Sequence, residues 1–236
     1  MLKRTFPLLL AAGVVVLGAC SPPESSLDDA PSPEETAGAP QGQESAPVGA
    51  LCEYLPEGQP SRPVDPPSSE VETTGEVVAT IETNQGPVTV TMDRGSAPCA
   101  VHSFVSLATQ GFYDDTVCHR LSDSGGLFML QCGDPTATGS GGPGYRFAEE
   151  LTGQETYGAG TVAMARTTQP ASTGSQFFLV YEDSQLSPDY TVLGTMDEAS
   201  IGVVARIATE GQDGSFGQVG GGKPNNPSEI STVTVG

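Results

Sequence analysis

Apolar and polar residues alternate with a period of two over much of the chain from Val77 onward. Val77-Val78-Ala79-Thr80-Ile81-Glu82 and Val88-Thr89-Val90-Thr91-Met92 are β-branched runs joined by Asn84-Gln85-Gly86-Pro87, which is turn chemistry. They predict a β-hairpin. Pro98 then opens a stretch in which Val101, Phe104, Val105 and Ala108 recur at helical spacing, with Gly111 where a C-terminal cap belongs. That is an amphipathic helix. Strand patterns at 116–121, 127–132, 145–149, 161–165, 176–180 and 191–196 bracket glycine-rich turns, Ile201, Val204, Ala205 and Ala208 predict a second helix, and 230–235 a last strand. Nine strand patterns, one or two of which can merge, and two helices predict a mainly β domain of antiparallel strands. A closed barrel is expected, because closure removes the sheet edges.

Ahead of Val77 the pattern changes. Lys3 and Arg4 precede an apolar run at 7–18 that is too short to span a bilayer comfortably, as in an export signal. Leu17-Gly18-Ala19-Cys20 resembles a bacterial lipobox. It predicts removal of residues 1–19 and lipidation of Cys20, which would anchor the mature chain to the extracytoplasmic face of a membrane. Residues 20–75 then turn to Pro, Ser, Glu, Asp and Gly, with Arg62 the only basic residue. So few apolar side chains predict a disordered acidic tether, followed by a folded domain over 76–236. Leu51-Cys52-Glu53-Tyr54-Leu55 is a more apolar patch within the tether, able to dock on the domain through Cys52.

Composition sharpens this only a little. In 236 residues, 30 glycines and 20 prolines leave room for one sizeable domain with irregular tails. A formal charge of −20 with nine Lys and Arg argues against nucleic acid as a partner, since phosphate binding needs cations.

Two stretches carry the candidate chemistry. Cys118-His119-Arg120 runs through Phe128, Met129 and Gln131 into a Gly/Pro-rich region at 133–144, and a second segment reads Met164 to Val180, MARTTQPASTGSQFFLV. A guanidinium, an apolar cluster and a neutral amide are materials of a binding pocket. Together HRL…FMLQ, GDPTATGSGGPGYRF and TGSQFFLVYEDSQL resemble the cyclophilin family of peptidyl-prolyl cis/trans isomerases, over about Val77 to Gly236. The resemblance implies an eight-stranded closed barrel with a helix at each open end and a pocket on its outside. It implies Arg120 as the catalytic residue, Phe128, Met129, Phe178 and Leu186 around the proline, and Gln131 steadying the arginine. Met164, Ala165, Arg166 and Thr167 would receive the residues before proline, and Tyr190 stands where the family often has a pocket histidine. Proline-containing polypeptides would be the partners of a monomer, with no cofactor and no metal.

This chain departs from the usual pattern in three places. Extra residues, 121–127, lie between Arg120 and Phe128; Gln185 replaces a tryptophan common before the socket leucine; Arg166 replaces a common asparagine. Two further function classes therefore stand beside the isomerase: a proline-peptide binding module or holdase of little rate, and a generic solute-binding lipoprotein. His119 reads as a packed, hydrogen-bonded residue, His102 as structural and Phe177, of opposite strand parity to Phe178, as core. Cys118, His119 and Cys132 lack the CxxC or HxxxH spacing of a zinc site. With Cys20 lipidated, four cysteines remain and at least one disulfide is expected. Cys118 and Cys132 look like a cross-strand pair, yet a register with Arg120 opposite Gln131 puts them on opposite faces. Connectivity stays open.

Overall fold

A computed structural model describes residues 49–236; the export signal, Cys20 and the first part of the expected tether lie outside these residues. Three short strands come first: β1 (Ala50–Leu51), β2 (Leu55–Pro56) and β3 (Glu70–Val71). Then follow β4 (Glu76–Thr83), β5 (Gly86–Asp93), α1 (Pro98–Thr109), β6 (Thr116–Val117), β7 (Arg120–Ser124), β8 (Leu127–Cys132) and β9 (Tyr145–Arg146). The chain ends with β10 (Thr161–Met164), β11 (Phe177–Val180), β12 (Val192–Met196), α2 (Glu198–Ala208) and β13 (Glu229–Val235).

The β4–β5 hairpin has the predicted alternation, with Val77, Ala79, Ile81, Val88, Val90 and Met92 buried. It sits in one antiparallel sheet of nine strands ordered β6-β13-β4-β5-β12-β10-β11-β8-β7. The edge strands β6 and β7 are separated in sequence only by Cys118 and His119, so the sheet has to curl. Its ladder does not join β7 to β6 among the described residues; the outer edge of β7 instead meets Gly222, through paired backbone hydrogen bonds with Leu121 at 2.7 and 3.0 Å. The expected eight-stranded closed barrel is thus, as described, a curled nine-stranded sheet. The extra strand arises because the pattern at 116–121 splits, β6 pairing with β13 and β7 with β8. The pattern at 145–149 shortens to β9, which pairs with β2 rather than joining the large sheet.

Both helices pack on this core. Pro98 fits the first turn of α1, where its missing N–H is no loss, and Glu150 caps the helix by accepting from the Cys99 and Ala100 N–H groups, both at 2.9 Å. In α2, Asp197 caps by accepting from the Ser200 N–H at 2.8 Å, worth about 1 kcal/mol. The buried face of α2 is Ser200, Val203, Val204 and Ile207, so of the residues predicted inward only Val204 is fully so. Ile201, Ala205 and Ala208 lie at the flanks of that face.

The larger correction concerns residues 49–75, which are an ordered arm on the domain rather than a disordered tether. Cys52 is joined to Cys99 of α1, the Tyr54 hydroxyl donates to the Cys99 carbonyl at 2.9 Å, and the Tyr54 ring packs edge-on against Tyr145 and Phe147, both at 5.5 Å. Arg62 donates to the Gly111 carbonyl at 2.9 Å, and Val71 is buried. By the chain-entropy relation a cross-link over 47 residues stabilises by about 4 kcal/mol. A few anchored side chains therefore order a segment whose composition is too polar for a core of its own.

Cys118 and Cys132 form the second disulfide. It coexists with Arg120 opposite Gln131 because β6 ends at Val117 and β7 starts at Arg120. Strand alternation is interrupted at Cys118 and His119, and both sulfurs enter the core. With both cysteines so paired, neither is a thiolate available to zinc.

Candidate active site

The site is built by the parity of four neighbouring strands. On β7, β8, β10 and β11, the residues Leu121, Leu130, Cys132, Val162, Met164, Phe177 and Leu179 enter the main core. The alternate residues turn to the opposite face. Register there places Arg120 opposite Gln131, Gln131 opposite Phe178, and Phe178 opposite Ala163, so one cross-strand row carries the cation, the amide and the aromatic ring.

Arg120 is half-buried and held by backbone and side chain together. Its Nε donates to the Gly220 carbonyl at 2.9 Å, its Nη1 donates to Gln131 Oε1 at 3.2 Å, and its guanidinium carbon lies 5.9 Å from the Phe216 ring centroid. Burial lowers its pKa from the ordinary arginine value, opposed by Tyr190, but a guanidinium so far above neutrality stays charged. Gly220 reaches it because Gly221 has no side chain: a Cβ there would lie 2.1 Å from the Leu121 carbonyl oxygen, and its φ is +78°.

Gln131 is fixed in turn. Its Nε2 donates to Gln176 Oε1 at 2.8 Å, and Gln176 Nε2 donates to the carbonyls of Gly139 and Gly141 at 3.0 and 2.9 Å. Those glycines belong to a loop organised by Asp134, which is fully buried and accepts from the N–H groups of Thr136, Gly139 and Gly141 at 2.7, 2.7 and 3.0 Å. Burial pushes the Asp134 carboxyl up, but the hydrogen bonds from Thr136, Gly141 and Gly139 outweigh it and hold the pKa below the usual carboxylate range. A relay of neutral amides thus runs from a rigid anionic loop to the guanidinium. It orients Arg120 without neutralising it.

Beside this row lies a second apolar cluster, separate from the main core: Met129, Tyr157, Ala163, Phe178 and Val180, with Ala165, Leu186 and Tyr190 packed against it. The Tyr190 ring stands perpendicular to Phe178 at 5.5 Å. Its backbone is clamped by the Tyr157 hydroxyl, which donates to the Tyr190 carbonyl and accepts from the Tyr190 N–H, both at 2.9 Å. The residues between Arg120 and Phe128 lengthen a β-hairpin, with Ser124 opposite Leu127 and a turn at Gly125 and Gly126, both at positive φ. The Gln185 N–H donates to the Gly126 carbonyl at 2.7 Å, which ties the hairpin tip to the segment carrying Leu186.

The structure therefore gathers Arg120, Gln131, Met129, Phe178, Ala165, Leu186 and Tyr190, and leaves two expected residues outside. Met164 points into the main core. Phe128 has the parity of Leu130, opposite to Met129, and packs edge-on to Tyr181 at 6.1 Å. Arg166 is paired with Glu149 at 3.5 Å and donates to the Asp189 carbonyl at 3.2 Å, so it braces two loops beside the site; Thr167 is exposed there. His102 meets Ser68 of the arm at 3.1 Å. His119 is 2% exposed, but neither ring nitrogen has a hydrogen-bond partner among the described residues, and burial lowers its pKa. Sequence reasoning missed Gln176, Tyr157, Gly220 and Phe216. Gln176 sits within the TGSQFF motif, and Phe216 precedes a glycine run, whereas nothing around Tyr157 marks it.

A curled, mainly β sheet with two helices, bearing an arginine–glutamine–phenylalanine row beside an outer apolar cluster, defines a cyclophilin-like protein. A family model described as "Cyclophilin type peptidyl-prolyl cis-trans isomerase/CLD" matches residues 78–235. The chain therefore belongs to that family. It is similar to "Probable peptidyl-prolyl cis-trans isomerase B" of Mycobacterium leprae, 42% identical over 73% of this chain and 63% of that one. The protein of the same description from Mycobacterium tuberculosis is 40% identical over 80% of this chain and 64% of that one. The chain thus spans a little under two thirds of the length of these relatives. Among solved structures, a Cryptosporidium parvum cyclophilin type isomerase crystallised in the presence of the dipeptide Ala-Pro superposes with TM-score 0.58 at 27% identity, covering 67% of this chain and 98% of that one.

Proposed function

We propose that the chain is a peptidyl-prolyl cis/trans isomerase whose catalytic residue is Arg120. The observation that carries this is the single row Arg120–Gln131–Phe178 beside the Met129, Leu186 and Tyr190 cluster. Rotation about an X-Pro bond faces a barrier of about 18–20 kcal/mol, because amide resonance delocalises the prolyl nitrogen lone pair. No nucleophile or metal is required. The apolar cluster takes the proline ring and excludes water, and Arg120 donates toward the nitrogen as its lone pair localises in the twisted state, an interaction absent in the planar ground state. Gln131 holds the guanidinium in place and meets the substrate backbone, Ala165 to Thr167 border the residues before proline, Met164 shapes that strand from within, and Phe128 borders the far rim. The Ala-Pro dipeptide present with the Cryptosporidium relative supports a proline-bearing ligand.

The clients proposed are exported polypeptides, met by a chain lipidated at Cys20 and held at the extracytoplasmic membrane face. The lipobox-like residues at 17–20 and two disulfides suited to an oxidising compartment support that location. The curled sheet is proposed to act as a closed barrel, its edges joined by the short Cys118–His119 link. The test is catalysed cis-to-trans isomerisation of an X-Ala-Pro-Phe reporter by the parent and by Arg120→Ala. Loss of about 10²–10³-fold, the usual cost of removing one preorganised donor, is expected in a variant that melts like the parent. Undiminished catalysis by Arg120→Ala would remove the arginine from the mechanism.

A further inference from the structure

After α2 the chain makes an excursion over 211–225 before it enters β13, and the outer apolar cluster takes none of its side chains. The excursion is closed at its base. Gln212 faces Pro224 in an antiparallel bridge, the Asp213 N–H donates to the Lys223 carbonyl at 3.1 Å, and the Lys223 N–H donates to Asp213 Oδ1 at 2.8 Å. The Gln212 side-chain amide also donates to Asp123 Oδ1 on β7 at 3.3 Å. Nearer the tip, the Phe216 N–H donates to the Gly221 carbonyl at 3.2 Å. Phe216 is thereby tied to the glycine run whose Gly220 carbonyl receives Arg120 Nε and whose Gly222 pairs with Leu121.

The half-buried Phe216 ring lies against two parts of the site at once. One is Arg120, whose guanidinium carbon is 5.9 Å from the ring centroid. The other is Gly139, where a Cβ would stand 3.3 Å from Phe216 Cε1, so the backbone of the Asp134 loop runs against the ring. The Gly139 carbonyl is one of the two that hold Gln176. The contacts therefore close on themselves: Arg120 to Gln131, Gln131 to Gln176, Gln176 to Gly139, Gly139 to Phe216, and Phe216 back to Arg120. Without the ring, the relay of amides is an open chain with the guanidinium at its free end. A ring attracts the cation through its quadrupole and, unlike a carboxylate, leaves its charge intact.

We propose that Phe216 is a positioning residue for catalysis, the member that closes this circuit. Its ring, braced by Gly139 and by the His119 ring at 6.1 Å, holds Arg120 at the angle from which it donates to the prolyl nitrogen. This rests on the isomerase reading. Because the outer cluster takes the proline ring without help from the excursion, the contribution of Phe216 falls on kcat and not on KM.

The test compares the full chain with Phe216→Leu, Phe216→Tyr, Arg120→Ala and Phe216→Leu/Arg120→Ala on one X-Ala-Pro-Phe reporter, rates being taken per folded molecule. Phe216→Leu keeps apolar bulk and removes the ring, and should lower kcat roughly 3- to 10-fold with KM nearly unchanged. Phe216→Tyr keeps the ring and should retain the parent kcat. In the Arg120→Ala background Phe216→Leu should cost nothing further, since the ring has no cation left to hold. Equal rates for the Leu and Tyr variants, a fall carried by KM, or the same fall in the Arg120→Ala background would make Phe216 a packing residue and overturn the proposal. The hold on the guanidinium is also read without turnover. Ring-current shifts of the Arg120 Nε–H and Cδ–H resonances should be present in the parent and in Phe216→Tyr and lost in Phe216→Leu, and their absence from the parent would overturn the proposal. If the parent catalyses nothing, the isomerase reading fails instead, and these resonances still decide whether the ring holds Arg120.

Discussion

Phe177 and Phe178 are adjacent on β11 and both buried, yet they belong to different parts of the molecule. Phe177 lies in the main core, edge-on to Phe104 at 5.4 Å and Tyr113 at 5.6 Å. Phe178 lies in the outer cluster, against Tyr190 and Tyr157 at 5.5 and 6.2 Å. The inner ring is surrounded by side chains of the helix and sheet it joins. The outer one stands in a row with Gln131 and Arg120, backed by the sheet and bordered by half-buried Leu186 and Tyr190. One strand therefore feeds the main core on one parity and the outer cluster, the proposed proline pocket, on the other, and residue type alone does not distinguish the two.

The Cys118–Cys132 disulfide is an inner-face feature beside the site, Cys132 following Gln131 in the chain, so removing it strains the comparison most. Its 14-residue separation predicts about 3 kcal/mol of lost stability in Cys118→Ala/Cys132→Ala, read by denaturant unfolding, with activity per folded molecule kept within a few-fold. A collapse of activity at unchanged stability would place the disulfide in the site instead. Next in size is Gly221→Ala. A Cβ 2.1 Å from the Leu121 carbonyl at φ +78° forces the loop away, at a cost of roughly 1–3 kcal/mol, and draws Gly220 off Arg120. Here stability and kcat should fall together, because this loop belongs to both faces.

Gln176→Leu sharpens the outer side alone. It cuts the relay between Gln131 and the Asp134 loop, and about a tenfold fall in kcat/KM is expected, corresponding to one lost hydrogen bond of roughly 1–1.5 kcal/mol transmitted to Arg120. The smallest effect is His119→Phe. Burial lowers the folded-state pKa of His119 below its ordinary value of 6.5, so the unfolded chain takes up its proton first and stability is lost as pH falls from about 6.5 through the folded-state value. His102, also lowered by burial, contributes in the same sense. Thermal melts from pH 7 to pH 5 should therefore decline less steeply in His119→Phe than in the parent; an identical slope would show that His119 does not titrate in this window.

Much of this was legible in the sequence, and the misses have physical causes. Period-two alternation located the β4–β5 hairpin and separated Phe177 from Phe178, and the spacing after Pro98 located α1. Arg120 and Gln131 were legible from the HRL…FMLQ pattern. The same alternation would have removed Phe128 and Met164 from the side-chain lining, since both share parity with core residues on their own strands; motif position had placed them there instead. The pairing of Cys118 with Cys132 is not legible in the sequence because nothing in the pattern at 116–121 marks the two-residue break between β6 and β7. The patch at 51–55 docks through Cys52 as expected, whereas the rest of the arm at 49–75 reads as a tether because its order comes from Arg62 and Val71 docking on distant elements, not from periodicity of its own. Gly220 and Gly221 act through their backbone and the side chain they lack, which leaves no polar or apolar pattern to read.

The division of β11 is tested most directly by measuring isomerisation and unfolding side by side in Phe178→Ala and Phe177→Ala. Phe178→Ala should lose most of its kcat/KM, while Phe177→Ala should lose about 3–5 kcal/mol of stability and keep its activity per folded molecule at low temperature. The reverse assignment, or equal losses of both properties in both variants, would contradict the account.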